Sequence, residues 1–143
     1  VIRMLVPAFV FIIAVVLSFA TGTSWGTFSI MIPIVCNIFA PTEEMLAITI
    51  SACLAGAVCG DHCSPISDTT IMSSAGAGVK HIDHVRSQMP YAIMVACVSA
   101  VGYVVAGIIG YYANSALAMI GLPIMLALVA GTFAVVTKKT KSD

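Results

Sequence analysis

The chain has 143 residues, of which 60% are hydrophobic and 8% charged, with six basic and six acidic side chains and no net charge. A soluble domain carries roughly 25% charged residues, so the composition excludes a water-soluble globule and marks an integral membrane protein. Zero net charge argues against a nucleic-acid partner, and the five cysteines (Cys36, Cys53, Cys59, Cys63, Cys97) are scattered through apolar runs rather than set out as a disulfide framework.

The chain opens Val1-Ile2-Arg3 without an initiator Met or a signal-peptide pattern, and is expected to be the C-terminal part of a longer protein. Residues 4–20 are a continuous apolar run, at the short end of what crosses a bilayer as a helix. Thr21-Gly22-Thr23-Ser24-Trp25-Gly26-Thr27 follows, then a second short apolar run over 28–40 with Pro33 inside it. Two short apolar arms around a Gly/Thr/Ser tip predict a re-entrant helical hairpin over 1–40. Irregular backbone at that depth is tolerated only when buried in protein or lining a polar cavity. Two tilted spans joined by a polar turn fit the lengths equally well.

Glu43 and Glu44 suit the positive end of a helix dipole. Residues 45–60 are apolar again, with Ala52, Gly56 and Gly60 at the every-fourth spacing that lets membrane helices approach closely. The spacing reads as packing rather than function. Then comes the polar core of the chain, Gly60-Asp61-His62-Cys63-Ser64-Pro65-Ile66-Ser67-Asp68-Thr69-Thr70. Residues 45–60 and 71–78 are each too short to span, so 45–78 is expected to be one transmembrane helix broken at Pro65. Residues 79–90 form a hydrated linker, residues 91–113 a clean span flanked by tyrosines, and residues 116–136 a last span. Residues 137–143 are a basic tail. By the positive-inside rule this tail and the Lys80/Arg86 linker are both cytoplasmic.

Pro65 has no N–H and clashes with the carbonyl four residues back. A break there is expected to free main-chain carbonyls beside Asp61, Asp68, Ser64, Ser67, Thr69 and Thr70. Such an all-oxygen set suits hard cations, and Thr23 and Ser24 of the hairpin tip would add oxygens from the other side. Ionisable groups at membrane depth usually mark an ion or proton path. Competition of sodium and a proton for one carboxylate is the simplest antiport chemistry, and Asp61 or Asp68 is predicted to be that carboxylate. Each residue also has a blander reading. Both acids are candidate helix caps, and His62 is either a proton relay or a structural hydrogen-bonder. His81 and His84 read as a solvated loop rather than as a pH sensor. Cys59, His62 and Cys63 do not have zinc-ligand spacing. Asp61, His62 and Ser64 contain the residue types of a nucleophilic triad but are sequence neighbours, and Val58 stands where an intramembrane aspartyl protease would need the first glycine of its motif. Hydrolysis is therefore disfavoured.

The run from Gly60 to Gly78, followed by His81-Ile82-Asp83-His84-Val85, resembles the NhaC-type sodium/proton antiporters, and Phe19-Ala20-Thr21-Gly22-Thr23-Ser24-Trp25-Gly26-Thr27 looks like that family's upstream motif. The resemblance implies an all-α polytopic transporter built from two inverted repeats, each with a re-entrant hairpin and a broken helix. Residues 1–143 would then be the second repeat. It further implies a non-enzymatic exchanger of Na+ for H+ in the bacterial inner membrane, with those ions as cargo and no cofactor. The partners it implies are the lipid bilayer, the N-terminal repeat of the same transporter and, as one option, a second copy in a homodimer. Some relatives of the family exchange malate and protons for lactate and sodium, so a carboxylate exchanger on the same fold is the alternative.

Overall fold

The computed structural model describes residues 2–40 and 44–112, and beyond them the single positions 123, 127, 128, 130–132 and 134. The expected span over 116–136 and the tail over 137–143 lie outside the described residues apart from those positions.

The apolar run at the start forms α1 (Ile2–Thr21) and the second arm forms α2 (Ser24–Ile38). Two residues join them. Gly22 ends α1 in the left-handed region (φ +67), with its N–H on the Ser18 carbonyl at 2.8 Å. Thr23 then takes an extended conformation and caps α2, its Oγ1 accepting from the Gly26 N–H at 3.4 Å. Next come α3 (Glu44–Cys63), α4 (Asp68–Gly76) and α5 (His81–Tyr112). The described residues contain helices and no strands. Of these helices α1, α3 and α5 are long and apolar enough to cross a membrane, whereas α2 is a shorter apolar helix.

The core lies where α1, α2 and α3 meet: Val10 and Ala14 from α1, Met31 and Val35 from α2, Cys53 and Ala57 from α3. The closest approach is between α1 and α3. A Cβ on Gly56 would strike the carbonyl of Phe11, and one on Gly60 would strike the backbone of Val15 and Phe19. At the same seam Ser18 Oγ donates to the Ala57 carbonyl at 2.5 Å. The small-residue stripe of α3 is thus a packing face, as its spacing suggests. The other face of α1 leaves Phe9, Ile12, Ile13 and Val16 exposed, an apolar surface that suits lipid.

Along α3, α5 runs back from the break. Tyr103 donates to the Ser51 carbonyl at 3.1 Å and stacks at 5.3 Å on Phe11, and Gly107 abuts the Met4 carbonyl. At about 1.5 Å per residue, α5 is about 48 Å long, well beyond a hydrocarbon core of about 30 Å.

Two expectations need correction. α3 alone, with 20 residues, has the length of a span, so the segment before the break does not need 71–78 to cross. Residues 81–90 are helix rather than linker, and the helix that carries the apolar stretch from Tyr91 starts at His81. Pro90 lies inside that helix, whose apolar length and neighbours carry the chain through one missing hydrogen bond. On α5, Gly107 makes the close approach to α1, and a Cβ on Gly110 would meet the Ile48 and Met45 side chains of α3.

Candidate functional site at the helix break

Between Cys63 and Asp68 the helix is replaced by a single turn. Ser64 N–H donates to the Asp61 carbonyl at 3.0 Å, Ser67 N–H to the Ser64 carbonyl at 3.3 Å, and Ile71 N–H to the Ser67 carbonyl at 3.0 Å, which starts α4. The turn is pinned to the end of α1. Ser64, fully buried, donates from Oγ to the Phe19 carbonyl at 2.8 Å. Gly22 sits so close to Ile66 that a Cβ there would meet the Ile66 carbonyl and side chain. The Gly22-Thr23 tip and the break therefore form one site, although more than 40 residues separate them in sequence.

The predicted site residues divide by surroundings. Asp61, 6% exposed, lies in the last turn of α3, and its Oδ1 is buried without a hydrogen-bond partner among the described residues. Thr70, in the first turn of α4, is buried, and its Oγ1 is likewise without a partner. Ser67 is buried, with Oγ 2.7 Å from Thr69 Oγ1. Ser24 is buried in the first turn of α2. Asp68 and Thr69 are exposed, and Asp68 Oδ1 accepts from the Thr69 N–H at 2.7 Å, as an acid in the first turn of a helix does. Thr23 is half-buried and occupied as the cap of α2. His62 follows Asp61 by one helical step, about 100° round the axis. Its side chain is exposed and lines a groove of about 720 Å³ with Phe11, Gln88 and Tyr91.

Two carbonyls of the break, expected to be free, are bonded by side chains of α5. Gln88 Nε2 donates to the His62 carbonyl at 2.6 Å. The His81 ring bridges two groups, with Nε2 at 2.6 Å from the Pro65 carbonyl and Nδ1 at 3.1 Å from Ser74 Oγ. Both side chains come from the part of α5 that the sequence suggested was a solvated loop. Their spacing of seven, two turns of one helix face with buried Val85 between them, was the available signal. It becomes meaningful only once 81–90 is known to be helical.

Chemically, a carboxylate oxygen and a hydroxyl oxygen without partners among the described residues are each able to accept a hydrogen bond or a cation. A buried polar atom lacking a hydrogen bond costs about 1–3 kcal/mol, and two such oxygens flank one break. No group of three or more His, Cys, Asp or Glu side chains that could hold a metal ion occurs among the described residues.

The family model described as the Na+/H+ antiporter family matches residues 2–108, from α1 through most of α5. The chain belongs to that family. Among curated relatives, it is 36% identical over 101 residues to an uncharacterized Na+/H+ antiporter of Haemophilus influenzae, covering 71% of this chain and 22% of that protein. It is 35% identical over 96 residues to a malate-2H+/Na+-lactate antiporter of Bacillus subtilis, covering 67% and 20%. It is also 35% identical over 108 residues to the arginine/ornithine antiporter ArcD of Halobacterium salinarum, covering 73% and 22%. The chain spans about a fifth of the length of the curated relatives it matches. No solved structure matches it.

Proposed function

We propose that this chain is part of an NhaC-type secondary transporter that exchanges sodium for protons across the bacterial cytoplasmic membrane. The observation that carries the reading is Asp61, a buried carboxylate whose Oδ1 has no hydrogen-bond partner, one turn before a break in a membrane-length helix. Asp61 takes either a proton or a sodium ion, and Thr70 Oγ1, Ser64, Ser67 and Ser24 supply neutral oxygens around it. Asp68, Thr69 and Thr23 line the approach, and His62 relays protons from the groove between α3 and α5. In this reading α1 and α2 form the re-entrant hairpin of the second of two inverted repeats. The other repeat completes the cavity, the C-terminal tail faces the cytoplasm, and a homodimer is compatible with the exposed apolar faces.

The alternative is a carboxylate exchanger on the same fold, favoured by the malate/lactate antiporter among the relatives. There the N-termini of α2 and α4 would face the anion. The test uses the complete reading frame in everted membrane vesicles with an acid interior. Added sodium alone should collapse the pH gradient, and Asp61→Asn should abolish the collapse. Collapse only when malate and lactate are supplied on opposite sides would move the assignment to the carboxylate exchanger.

A further inference from the structure

α1 and α5 touch at two levels: Gly107 abuts the Met4 carbonyl, and Tyr103 stacks on Phe11. From Phe11 toward the break a groove of about 440 Å³ opens between them, where α5 offers Ala96 and Ala100 rather than larger side chains. Val15 and Phe19 of α1, Cys63 at the end of α3, and Met89 and Ile93 of α5 form its other walls. Every side chain lining it is hydrocarbon or sulfur-bearing, and Phe19 and Ile93 are exposed. Its length decides what fits. At about 1.5 Å per residue, the stretch 89–100 covers about 16 Å, and one leaflet of a hydrocarbon core of about 30 Å is about 15 Å deep. A transmembrane helix seated there would follow α5 through both leaflets, but the Phe11–Tyr103 pair closes the groove halfway.

The open end of the groove carries charge. Arg86 precedes Met89 by three residues and Ile93 by seven, so it lies on the groove face of α5, one turn nearer the water. It is exposed, and no hydrogen bond or ion pair engages it among the described residues. Lys80 and Asp83 continue the same stripe back past the start of α5, and two cations to one acid leave it positive.

We propose that this groove binds an anionic phospholipid of the leaflet at which α5 begins, with one acyl chain along residues 89–100 and the phosphate on Arg86. A guanidinium is a planar fork of donors that matches a phosphate. A zwitterionic head brings its own cation, so the anionic one is preferred. The bound chain packs against helix ends that hold the break, since the Phe19 carbonyl accepts from Ser64 Oγ and Cys63 precedes that serine. The inference rests on α1 and α5 lying in a bilayer and not on which ion is exchanged.

The experiment places the complete transporter in phosphatidylcholine vesicles. They contain a trace of phosphatidylglycerol or phosphatidylcholine bearing a photoreactive diazirine on one acyl chain. After illumination, mass spectrometry compares labelling of peptides from 12–19 and 89–100 with labelling of α2 around Ile30 and Ile34, which are exposed. Groove labelling relative to α2 should be about fivefold higher with the phosphatidylglycerol probe, the preference one basic side chain confers near a membrane surface. Arg86→Gln should bring the two probes level, and Arg86→Lys should restore most of the preference. Ala96→Phe, which fills the groove, should remove its labelling by both probes and leave that of α2. Equal labelling by the two probes in the parent, or a preference undiminished in Arg86→Gln, means ordinary boundary lipid and overturns the proposal. Absence of groove labelling with either probe means that another part of the transporter covers it, and overturns the proposal as well. If Arg86→Gln fails to reach the membrane, salt decides in the parent. The preference should fade between about 0.01 M and 1 M salt, as the screening length drops from about 30 Å to about 3 Å, and a preference indifferent to salt overturns the pairing with Arg86.

Discussion

Asp61 and Asp68 sit on either side of one break and differ in everything but their chemistry. Asp68 is exposed and spends an oxygen on the Thr69 N–H, a bond that asparagine can also accept. Asp61 is buried with an oxygen lacking a partner among the described residues, and asparagine there would bring a neutral amide that carries no charge for a cation and exchanges no proton. Asp61→Asn should therefore slow sodium-driven proton exchange at least about tenfold more than Asp68→Asn, a difference of about 1.4 kcal/mol in barrier. Rates measured side by side in vesicles check this, and equal losses would show that the exposed acid matters as much as the buried one. Thr70 offers a sharper contrast. Its Oγ1 is buried and has no partner, so the shape-matched Thr70→Val removes a polar group that the described residues do not satisfy. Thermal unfolding of Thr70→Val should be unchanged or higher, by about 1 kcal/mol. The sodium concentration for half-maximal exchange should nevertheless increase if Thr70 contacts the ion. A stability loss instead would mean the hydroxyl serves the fold.

At the scale of elements, the seam between α1 and α3 decides how precisely the break is held, because Ser64 and Gly22 tie the break to the last turn of α1. Gly60→Ala puts a methyl against the backbone of Val15 and Phe19, which cannot rotate away. It should cost about 1–3 kcal/mol. Gly76→Ala meets nothing within 4 Å and, at the end of α4, should be neutral or slightly stabilising. The two unfolding temperatures in detergent, compared with the parent, test the seam. The small-residue stripe that makes it was legible in the sequence, since a spacing of four on one helix is a local pattern. So was the residue that interrupts the helix, because the defect of Pro65 is built into its own ring. The roles of His81 and Gln88 were not legible. Their bonds reach back 16 and 26 residues to carbonyls, and a carbonyl leaves no mark in a sequence. The helix continuing through Pro90 misled the reading in the same way, because tertiary contacts overrode a local breaker.

For the whole molecule, composition alone decided the class, an α-helical membrane protein, because so few charges cannot clothe a soluble surface. Which way it faces depends on the polar start of α5. At about 48 Å, α5 exceeds the hydrocarbon core by about 18 Å, or about 12 residues, and Lys80, Asp83, His84, Arg86 and Gln88 all precede the apolar stretch beginning at Tyr91. This end is therefore expected to project from the bilayer, and the basic pair Lys80 and Arg86 favours the cytoplasmic side. Because the His62 and Pro65 carbonyls are bonded to the same end of α5, the break would also lie nearer that face. Asp83 is exposed and makes no side-chain bond among the described residues, so Asp83→Cys is a neutral reporter. A membrane-impermeant maleimide should label it in everted vesicles and leave it unlabelled in intact cells. Labelling only from outside would invert the molecule. The proton taken up at Asp61 would then enter from the periplasm when the break is open.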